Sequence, residues 1–282
     1  MGSPRARRTA RRNTRRNTAS DLGARVWVAV PAAAYALAII SLGGPWFAAG
    51  VLLLGFVCIH ELFQMYAALR PARLAGFLGV AGLAAAAHFG GEHQVLLATV
   101  STFPLVFLVA IAMPERPEVP VTDGMAITVL GTLWIGLGLA HAILLRDLEH
   151  GGGLVLAVLL GTFLGDTGAY IAGRTMGTRR LAPRISPNKT WEGLIAGIVV
   201  ATFAVWWYGL GSDWMGGTKG ALLGLTVGIA APLGDLFESR IKRDAGTKDA
   251  GTLFGAHGGA LDRLDAALFS LVAGYYMWLL LL

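Results

Sequence analysis

Long apolar stretches separated by short polar ones follow one another from about residue 26 to residue 282. Several of them approach the ~20 residues that a helix needs to cross the hydrocarbon core of a membrane. The pattern therefore predicts an all-α fold, a polytopic transmembrane helical bundle. We place nine predicted spanning helices at about residues 26–43, 46–67, 74–90, 94–113, 123–145, 153–173, 190–210, 217–237 and 262–282.

The composition supports an integral membrane protein, since only 14% of the residues are charged, against about a quarter in soluble proteins. Many of the 23 lysines and arginines fall in the first 25 residues, which contain almost nothing apolar. We interpret residues 1–25 as a disordered basic tail and residues 26–282 as one transmembrane domain. Because the net charge of +6 comes largely from this tail, we expect no nucleic acid partner.

The basic residues are distributed unevenly between the two faces of the predicted bundle. If the tail is cytoplasmic and Arg263 at the edge of the last cytoplasmic loop is counted with that loop, Arg146 and Lys219 are the only basic residues on the outer side. This asymmetry follows the positive-inside rule. The sequence therefore predicts a cytoplasmic N-terminus, with the cytoplasmic loops at residues 68–73, 114–122, 174–189 and 238–261.

Two predicted spans carry an aspartate near their cytoplasmic end, Asp166 in FLGDTGAYIAGR and Asp235 in IAAPLGDLFESR. A carboxylate at the centre of a span costs about 2.5–3.5 kcal/mol on insertion scales, so it normally faces protein, water or an ion. Exposure at the membrane interface is the alternative, because both lie near the cytoplasmic end of their helix. Pro232 predicts a kinked or opened helix just before Asp235. Glu61 is a further acid within a span, and the sequence assigns it no role.

The residues that follow Asp235 suggest a cation site. Helical spacing places three polar side chains on roughly the same face as Asp235, namely Glu238, Ser239 and Lys242. Mg²⁺ prefers one or two carboxylates together with phosphate oxygens and water. Asp235 with Asp262 or Asp265 would supply such a site. Capping of the last helix, whose N-terminus favours negative charge, is the alternative for Asp262 and Asp265.

Both long cytoplasmic loops are rich in glycine and positive charge. Glycines allow close approach to a ligand, and successive amides in such turns bind anions. In the loop after Asp235, His257 could donate to a phosphate, although a loop histidine is more often only solvated. In the other loop, Thr190 is predicted to cap the next helix, and Lys189 lies where a phosphate could meet that helix N-terminus. Its arginines are better explained as topology charges, at Arg174, Arg179, Arg180 and Arg184.

The segment from Ser239 to Asp265 matches the pattern S-x-apolar-K-R, four residues, K-D, then H-G-G and D-R-x-D. The matching residues are Ser239, Ile241, Lys242, Arg243, Lys248, Asp249, Gly251, Phe254, His257, Gly258, Gly259, Asp262, Arg263 and Asp265. In this pattern the chain resembles the phosphatidate cytidylyltransferases, or CDP-diacylglycerol synthases. GDTGAYIAGR and SPNKTWEG are similar to two upstream blocks of that family, so the resemblance covers at least residues 161–270.

Some positions depart from the family pattern. Gly255 and Ala256 stand where Pro-Gly is usual, Ala260 replaces a larger apolar residue, and Asn188 stands where a second lysine is common. These changes adjoin phosphate-binding groups. They put substrate affinity in question rather than the reaction.

The resemblance implies a nucleotidyltransferase of phospholipid biosynthesis that joins CTP and phosphatidate into CDP-diacylglycerol and pyrophosphate. The lipid phosphate is already an anionic nucleophile, so catalysis needs alignment and charge neutralisation rather than a Ser, Cys or His triad. The resemblance further implies Mg²⁺, with a second cation such as K⁺ left open. It also implies a homodimer in the cell (inner) membrane, with the active site on the cytoplasmic side.

The resemblance also assigns roles to residues, with Lys189, Lys242, Arg243 and Lys248 binding phosphates and the turn at residues 257–259 providing a backbone cradle. The candidate metal ligands are Asp235, Asp262 and Asp265, with Asp249 as an alternative. The candidate catalytic residues are Asp235, Lys242, Arg243, Lys248, Asp249 and Asp262. The candidate substrate-binding residues are Asp166, Ser186, Lys189, Ser239, His257, Gly258, Gly259 and Arg263.

Two other functions stay open. A CTP-dependent enzyme acting on another lipid phosphate or on a polyprenol would use the same loop. A transporter would also carry charges in broken helices. The sequence shows no inverted repeat, and its polar residues cluster at one face, so we favour the enzyme.

Overall fold

The computed structural model describes residues 30–114, 116–251 and 258–282. The predicted basic tail lies outside these ranges, and so does His257. By compactness the chain divides into two units, residues 1–41 and residues 42–282. The predicted domain boundary at residue 25 stays a prediction.

The described chain is nearly all-α, as the hydropathy pattern predicts, and each predicted span overlaps a helix. A π-helical segment, Thr132–Gly136, joins α5 and α6 into one continuous helix, Val121–Asp147. The helices are α1 (Val30–Leu42), α2 (Gly44–Met65), α3 (Arg73–Phe89), α4 (Glu92–Ala112), α5 (Val121–Gly131), α6 (Leu137–Asp147), α7 (Gly151–Met176), α8 (Trp191–Leu210), α9 (Gly216–Asp244) and α10 (Leu261–Leu281). A short 3-10 turn, Ala67–Leu69, follows α2.

Within the described residues, seven helical spans are long and apolar enough to cross a membrane. They are α2, α4, the continuous α5–α6 helix, α7, α8, α9 and α10. The apolar helices α1 and α3 are shorter than these spans. The chain is therefore a multi-pass membrane protein, and the predicted count of nine crossings goes beyond what the helix lengths establish.

The outer surface of the bundle carries many exposed apolar side chains, as expected for a surface in contact with lipid. On α4, Leu96, Val100, Phe103 and Phe107 are each more than half exposed. Their spacing of three and four residues places them along one side of the helix. Contiguous exposed apolar surface of this kind marks a membrane or partner contact rather than a water-facing surface.

Glycines bring α8 and α9 into backbone contact. Gly220, Gly224 and Gly228 recur every four residues on α9 and face α8. A Cβ at Gly220 would lie 2.6 Å from the Val205 carbonyl oxygen, and one at Gly224 would lie 2.8 Å from the Ala201 carbonyl oxygen. Small residues at this spacing allow membrane helices to pack closely. The stripe therefore fixes how the two helices lie against each other.

The structure corrects the predicted boundaries of both long loops. α9 continues to Asp244 instead of ending at residue 237, so Ser239, Lys242 and Arg243 are helical. α7 continues to Met176, and residues 174–189 are not a plain loop. They contain most of an antiparallel hairpin, β1 (Arg180–Ala182) and β2 (Ser186–Thr190), in which Ala182 pairs with Ser186. The hairpin is a small departure from an all-α fold.

The ends of several helices meet on one side of the bundle. The Tyr66 hydroxyl, just after α2, donates a hydrogen bond to the Ile241 carbonyl oxygen in α9 at 2.9 Å. Burial raises the pKa of this hydroxyl above its usual value, so it stays a donor. At the opposite end, the Tyr275 hydroxyl of α10 donates to Glu92 Oε1 of α4 at 2.7 Å. The ends of α2, α7 and α9 and the starts of α8 and α10 thus lie on one side.

Candidate active site

Asp235 lies on α9 next to the hairpin that precedes α8. Lys189 Nζ forms an ion pair with Asp235 Oδ2 at 2.6 Å, with the two side chains 23% and 35% exposed. The Ser239 hydroxyl donates to Asp235 Oδ1 at 3.3 Å, one helical turn further on. Asp166 on α7 interacts electrostatically with both Asp235 and Lys189. The structure thus brings together residues of three separate predicted segments.

Lys242 joins α9 to the start of α10. Its Nζ forms ion pairs with Glu238 Oε2 at 2.5 Å and with Asp262 Oδ1 at 2.6 Å. The side chains of Lys242, Glu238 and Asp262 are 14%, 1% and 11% exposed. A buried charge needs a partner, and Lys242 is the cation shared by both carboxylates.

Asp262 also lies in the first turn of α10, where a negative charge is favourable, although α10 has no side-chain cap. Its carboxylate accepts hydrogen bonds from Gly259 N at 2.7 Å and from Ala250 N at 3.0 Å. These amides belong to the two described ends of the loop before α10. Gly258 has φ +83, a left-handed angle that glycine adopts without strain, and it lies against the same carboxylate. Asp262 therefore links the two described ends of this loop.

Asp265 is buried one turn further along α10. Its Oδ1 accepts a hydrogen bond from Ala266 N at 2.7 Å, its carboxyl group is hydrogen-bonded to that of Glu238, and its charge interacts with that of Asp235. A Cβ at Gly234 would collide with the Asp265 carbonyl oxygen, so α9 and α10 are in backbone contact here. This contact sets Asp235 and Asp265 at a common depth in the bundle.

The remaining predicted residues lie at the rim. Arg243 Nε donates to the Ile185 carbonyl oxygen at 3.3 Å, which ties the end of α9 to the hairpin that contains Ser186. Lys248 and Asp249 follow α9 and have exposed side chains, as does Arg263 at the start of α10. The predicted cap is confirmed, since Thr190 Oγ1 accepts a hydrogen bond from Gly193 N at 3.2 Å.

Glu61 is the residue that the sequence left without a role. Its carboxylate accepts hydrogen bonds from Ala260 N at 3.0 Å and Leu261 N at 2.9 Å. The sequence signal was its position inside an apolar span, where an acid normally has a specific partner. The partner lies in a distant helix, which spacing along α2 does not indicate.

The described residues contain no group of three or more His, Cys, Asp and Glu side chains arranged to hold a metal ion. The acids are instead interleaved with lysines, as Asp235 with Lys189 and Asp262 with Lys242. Such an arrangement does not form a protein cage. It fits a hard cation that takes one or two carboxylates and completes its coordination with phosphate oxygens and water.

A model of the cytidylyltransferase family matches residues 23–281. The chain belongs to this family. A phosphatidate cytidylyltransferase of Synechocystis is 32% identical to it over 92% of this chain and 97% of the relative. The phosphatidate cytidylyltransferase of Mycobacterium leprae is 40% identical over 55% of this chain, and that of Pseudomonas aeruginosa is 39% identical over 51%. The chain matches only about half the length of these two relatives, 49% and 52%.

The family match includes every residue of the site. Of the predicted site residues, the structure joins Asp166, Lys189, Asp235, Ser239, Lys242, Asp262 and Asp265 through direct or electrostatic contacts. This cytidylyltransferase family member therefore carries, at one end of its bundle, a charged cluster built from α7, α9, α10 and the hairpin before α8.

Proposed function

We propose that the protein is a phosphatidate cytidylyltransferase, which converts CTP and phosphatidate into CDP-diacylglycerol and pyrophosphate. Family membership supports the proposal, as does the name of the Synechocystis relative that covers 92% of this chain. The observation that carries it is the pairing of Lys189 with Asp235 and of Lys242 with Asp262 at one end of the bundle. These groups suit two polyanionic substrates and a cation.

The proposed reaction is an in-line displacement. A phosphate oxygen of phosphatidate forms a bond to the α-phosphorus of CTP, and the bond from that phosphorus to the oxygen bridging the β-phosphorus breaks. Pyrophosphate takes the electron pair and leaves. Because the attacking oxygen is already ionised, the chain only has to align the two substrates and offset their charge.

The basic residues would bind the phosphates. Lys189 and Lys242 are held by carboxylates within the cluster, and Arg243 and Lys248 stand at its rim. Lysine and arginine both bind phosphate, lysine as a point charge and arginine through a planar fork. The other residues proposed to contact substrate are Asp166, Ser186, Ser239, His257, Gly258, Gly259 and Arg263.

Asp235 and Asp262 would hold Mg²⁺, with Asp265 and Asp249 in support and K⁺ as a second cation. When bound, the ion neutralises charge on the phosphate oxygens. The proposal predicts that product formation stops in a chelator and returns with added Mg²⁺. It also predicts that Asp235→Asn and Asp262→Asn abolish product formation while the protein still accumulates in the membrane.

The decisive assay follows label from CTP that is radioactive at its α-phosphorus into a chloroform-soluble product with purified protein, phosphatidate and Mg²⁺. Asp244→Asn is the matched control, because Asp244 forms an exposed pair with Arg240 on the same helix. Absence of a labelled lipid with phosphatidate would refute the proposal. Labelling of another lipid phosphate from α-labelled CTP in preference to phosphatidate, or of a polyprenol from γ-labelled CTP, would support the second candidate, a related CTP-dependent enzyme with a different lipid substrate.

We also propose nine membrane crossings, a cytoplasmic N-terminus and cytoplasmic active site, and a homodimer in the cell membrane. Cys58 is the only cysteine in the sequence and is buried, so single surface cysteines can report sidedness. Arg240→Cys and Asp213→Cys lie at opposite ends of α9. An impermeant maleimide should label only the Asp213→Cys variant in intact spheroplasts and only the Arg240→Cys variant in inverted vesicles. Light scattering in detergent tests the dimer.

A further inference from the structure

Glu61 is a buried acid near the end of α2 that the proposed reaction does not use. Only 6% of its surface is exposed. Its Oε1 accepts a hydrogen bond from Ala260 N at 3.0 Å, and its Oε2 accepts one from Leu261 N at 2.9 Å. The first N–H groups of a helix have no partner within the helix. Glu61 on α2 supplies that partner at the start of α10, about 200 residues further along the chain.

The same carboxylate lies against two glycines of the loop before α10. A Cβ at Gly251 would lie 2.5 Å from Glu61 Oε1, and a Cβ at Gly259 would collide with Glu61 Oε2. Any side chain at either position would therefore displace the carboxylate or the backbone. Glu61 thus fixes where both positions lie relative to α2.

Asp262 shares this small region with Glu61. It accepts hydrogen bonds from Ala250 N and Gly259 N and forms the ion pair with Lys242 at 2.6 Å. Four backbone amides thus donate to two carboxylates, Ala260 N and Leu261 N to the one on α2, and Ala250 N and Gly259 N to the one on α10. A shift of the α10 start would move Asp262 away from Lys242.

We propose that Glu61 is a positioning residue for nucleotide binding. By holding the first turn of α10 and the adjacent glycines, it keeps Asp262 and the Gly259 backbone in the arrangement that CTP and its cation require. This inference rests on the proposed function. A purely structural cap would lower stability and leave the affinity for CTP unchanged.

Glu61→Gln separates these two roles. A glutamine side chain has one acceptor oxygen and an NH₂ group in place of the second, so one buried amide of α10 loses its partner. A smaller fraction of molecules then has the arrangement that binds CTP, and the apparent affinity for CTP falls in proportion to that fraction. Loss of one hydrogen bond to a charged acceptor costs enough free energy to raise the KM for CTP about tenfold or more.

The experiment measures KM and kcat for CTP in the full-length protein with saturating lipid and Mg²⁺. We expect Glu61→Gln to raise the KM about tenfold with kcat within about twofold. Glu61→Asp keeps both acceptor oxygens on a shorter side chain, and we expect a smaller rise. His60→Ala, on the exposed neighbouring position of α2, should leave both constants unchanged. An unchanged KM in both Glu61 variants, or a fall in kcat alone, would overturn the proposal.

Hydrogen exchange provides a readout that does not depend on activity. In Glu61→Gln, the amides of Ala260 and Leu261 should exchange faster, while those in the middle of α2 should keep their protection. Faster exchange throughout α2 would mean that Glu61 only stabilises its own helix, against the proposal. A wild-type protein that forms no labelled lipid would refute the proposed function. An active wild-type protein together with a Glu61→Gln variant whose KM for CTP is unchanged would refute only this inference.

Discussion

Replacement of Lys242 by methionine tests how strongly the charged cluster depends on one cation. Methionine has a similar length and no charge, so the change removes both ion pairs, to Glu238 at 2.5 Å and to Asp262 at 2.6 Å. Glu238, whose side chain is 1% exposed, then loses its ion pair with this lysine. Asp262 keeps its bonds from Ala250 N and Gly259 N. The cost should therefore come mainly from Glu238.

Removal of one partner from a buried ion pair costs about 3–5 kcal/mol. We take the lower end of this range, about 3 kcal/mol, because Lys242 itself retains some contact with solvent. Each kcal/mol lost from the free energy of unfolding lowers the melting temperature by about 2–4 °C in chains of 150–250 residues, so we expect it to fall by roughly 6–12 °C. Thermal unfolding of the detergent-purified protein, followed by a thiol-reactive dye at the buried Cys58, measures it.

Two further variants make the test specific. Arg240→Met removes an exposed i,i+4 pair from the same helix, with Asp244 at 2.9 Å and side chains 59% and 51% exposed. It should cost less than about 1 kcal/mol. The double variant Glu238→Gln with Lys242→Met should regain most of the lost stability without regaining cytidylyl transfer. Equal melting temperatures for Lys242→Met and Arg240→Met, or a double variant as unstable as Lys242→Met, would refute the reasoning.

Three other predictions concern the surrounding scaffold. Thr190→Ala removes the cap of α8 and should cost about 1 kcal/mol in thermal unfolding. Gly234→Ala places a methyl group against the Asp265 carbonyl oxygen, and activity should fall at least tenfold by the radiolabel assay because α9 and α10 must separate. Glu192→Ala removes the acceptor for the Thr178 hydroxyl, 2.6 Å away. Limited trypsin digestion should then cut faster in the hairpin before α8.

Each of these predictions has a matched comparison. Thr190→Ser retains an acceptor hydroxyl and should melt close to the wild type. Gly82→Ala adds a methyl group where the structure has nothing within 4 Å, so it should keep full activity. Trp191→Ala changes an exposed neighbour of Glu192 and should leave trypsin cleavage unchanged. If a comparison variant behaves like its partner, the contact in question does not have the assigned role.

The sequence predicted the helices well because the membrane imposes a strong length and hydropathy requirement. It also predicted local contacts, since helical spacing of four residues pairs Asp235 with Ser239 and Glu238 with Lys242. The predicted end of α9 at residue 237 was wrong by seven residues, because the helix continues to Asp244. Polar residues mark where a helix leaves the membrane, and a helix can continue beyond that point.

Contacts between distant segments could not be predicted from spacing. The hairpin at residues 180–190 consists of two short strands, and such strands have too weak a periodic pattern to be distinguished from a loop. Lys189 pairs with Asp235 only because α8 and α9 pack together. Glu61 bonds an amide 199 residues away. Its burial was predictable, and its partner required the packing of α2 against α10.

The glycine stripe of α9 has a consequence for how the site can vary. Gly220, Gly224 and Gly228 set the axial position of α9 on α8 by main-chain contact, and Asp235 follows on the same helix, beyond Pro232. Axial sliding of α9 would bring carbonyl oxygens of α8 against its Cα atoms, so the position of the glycine stripe along α8 tolerates little change. Length changes in the connecting segments, unlike side chains added to the stripe, would leave this contact intact.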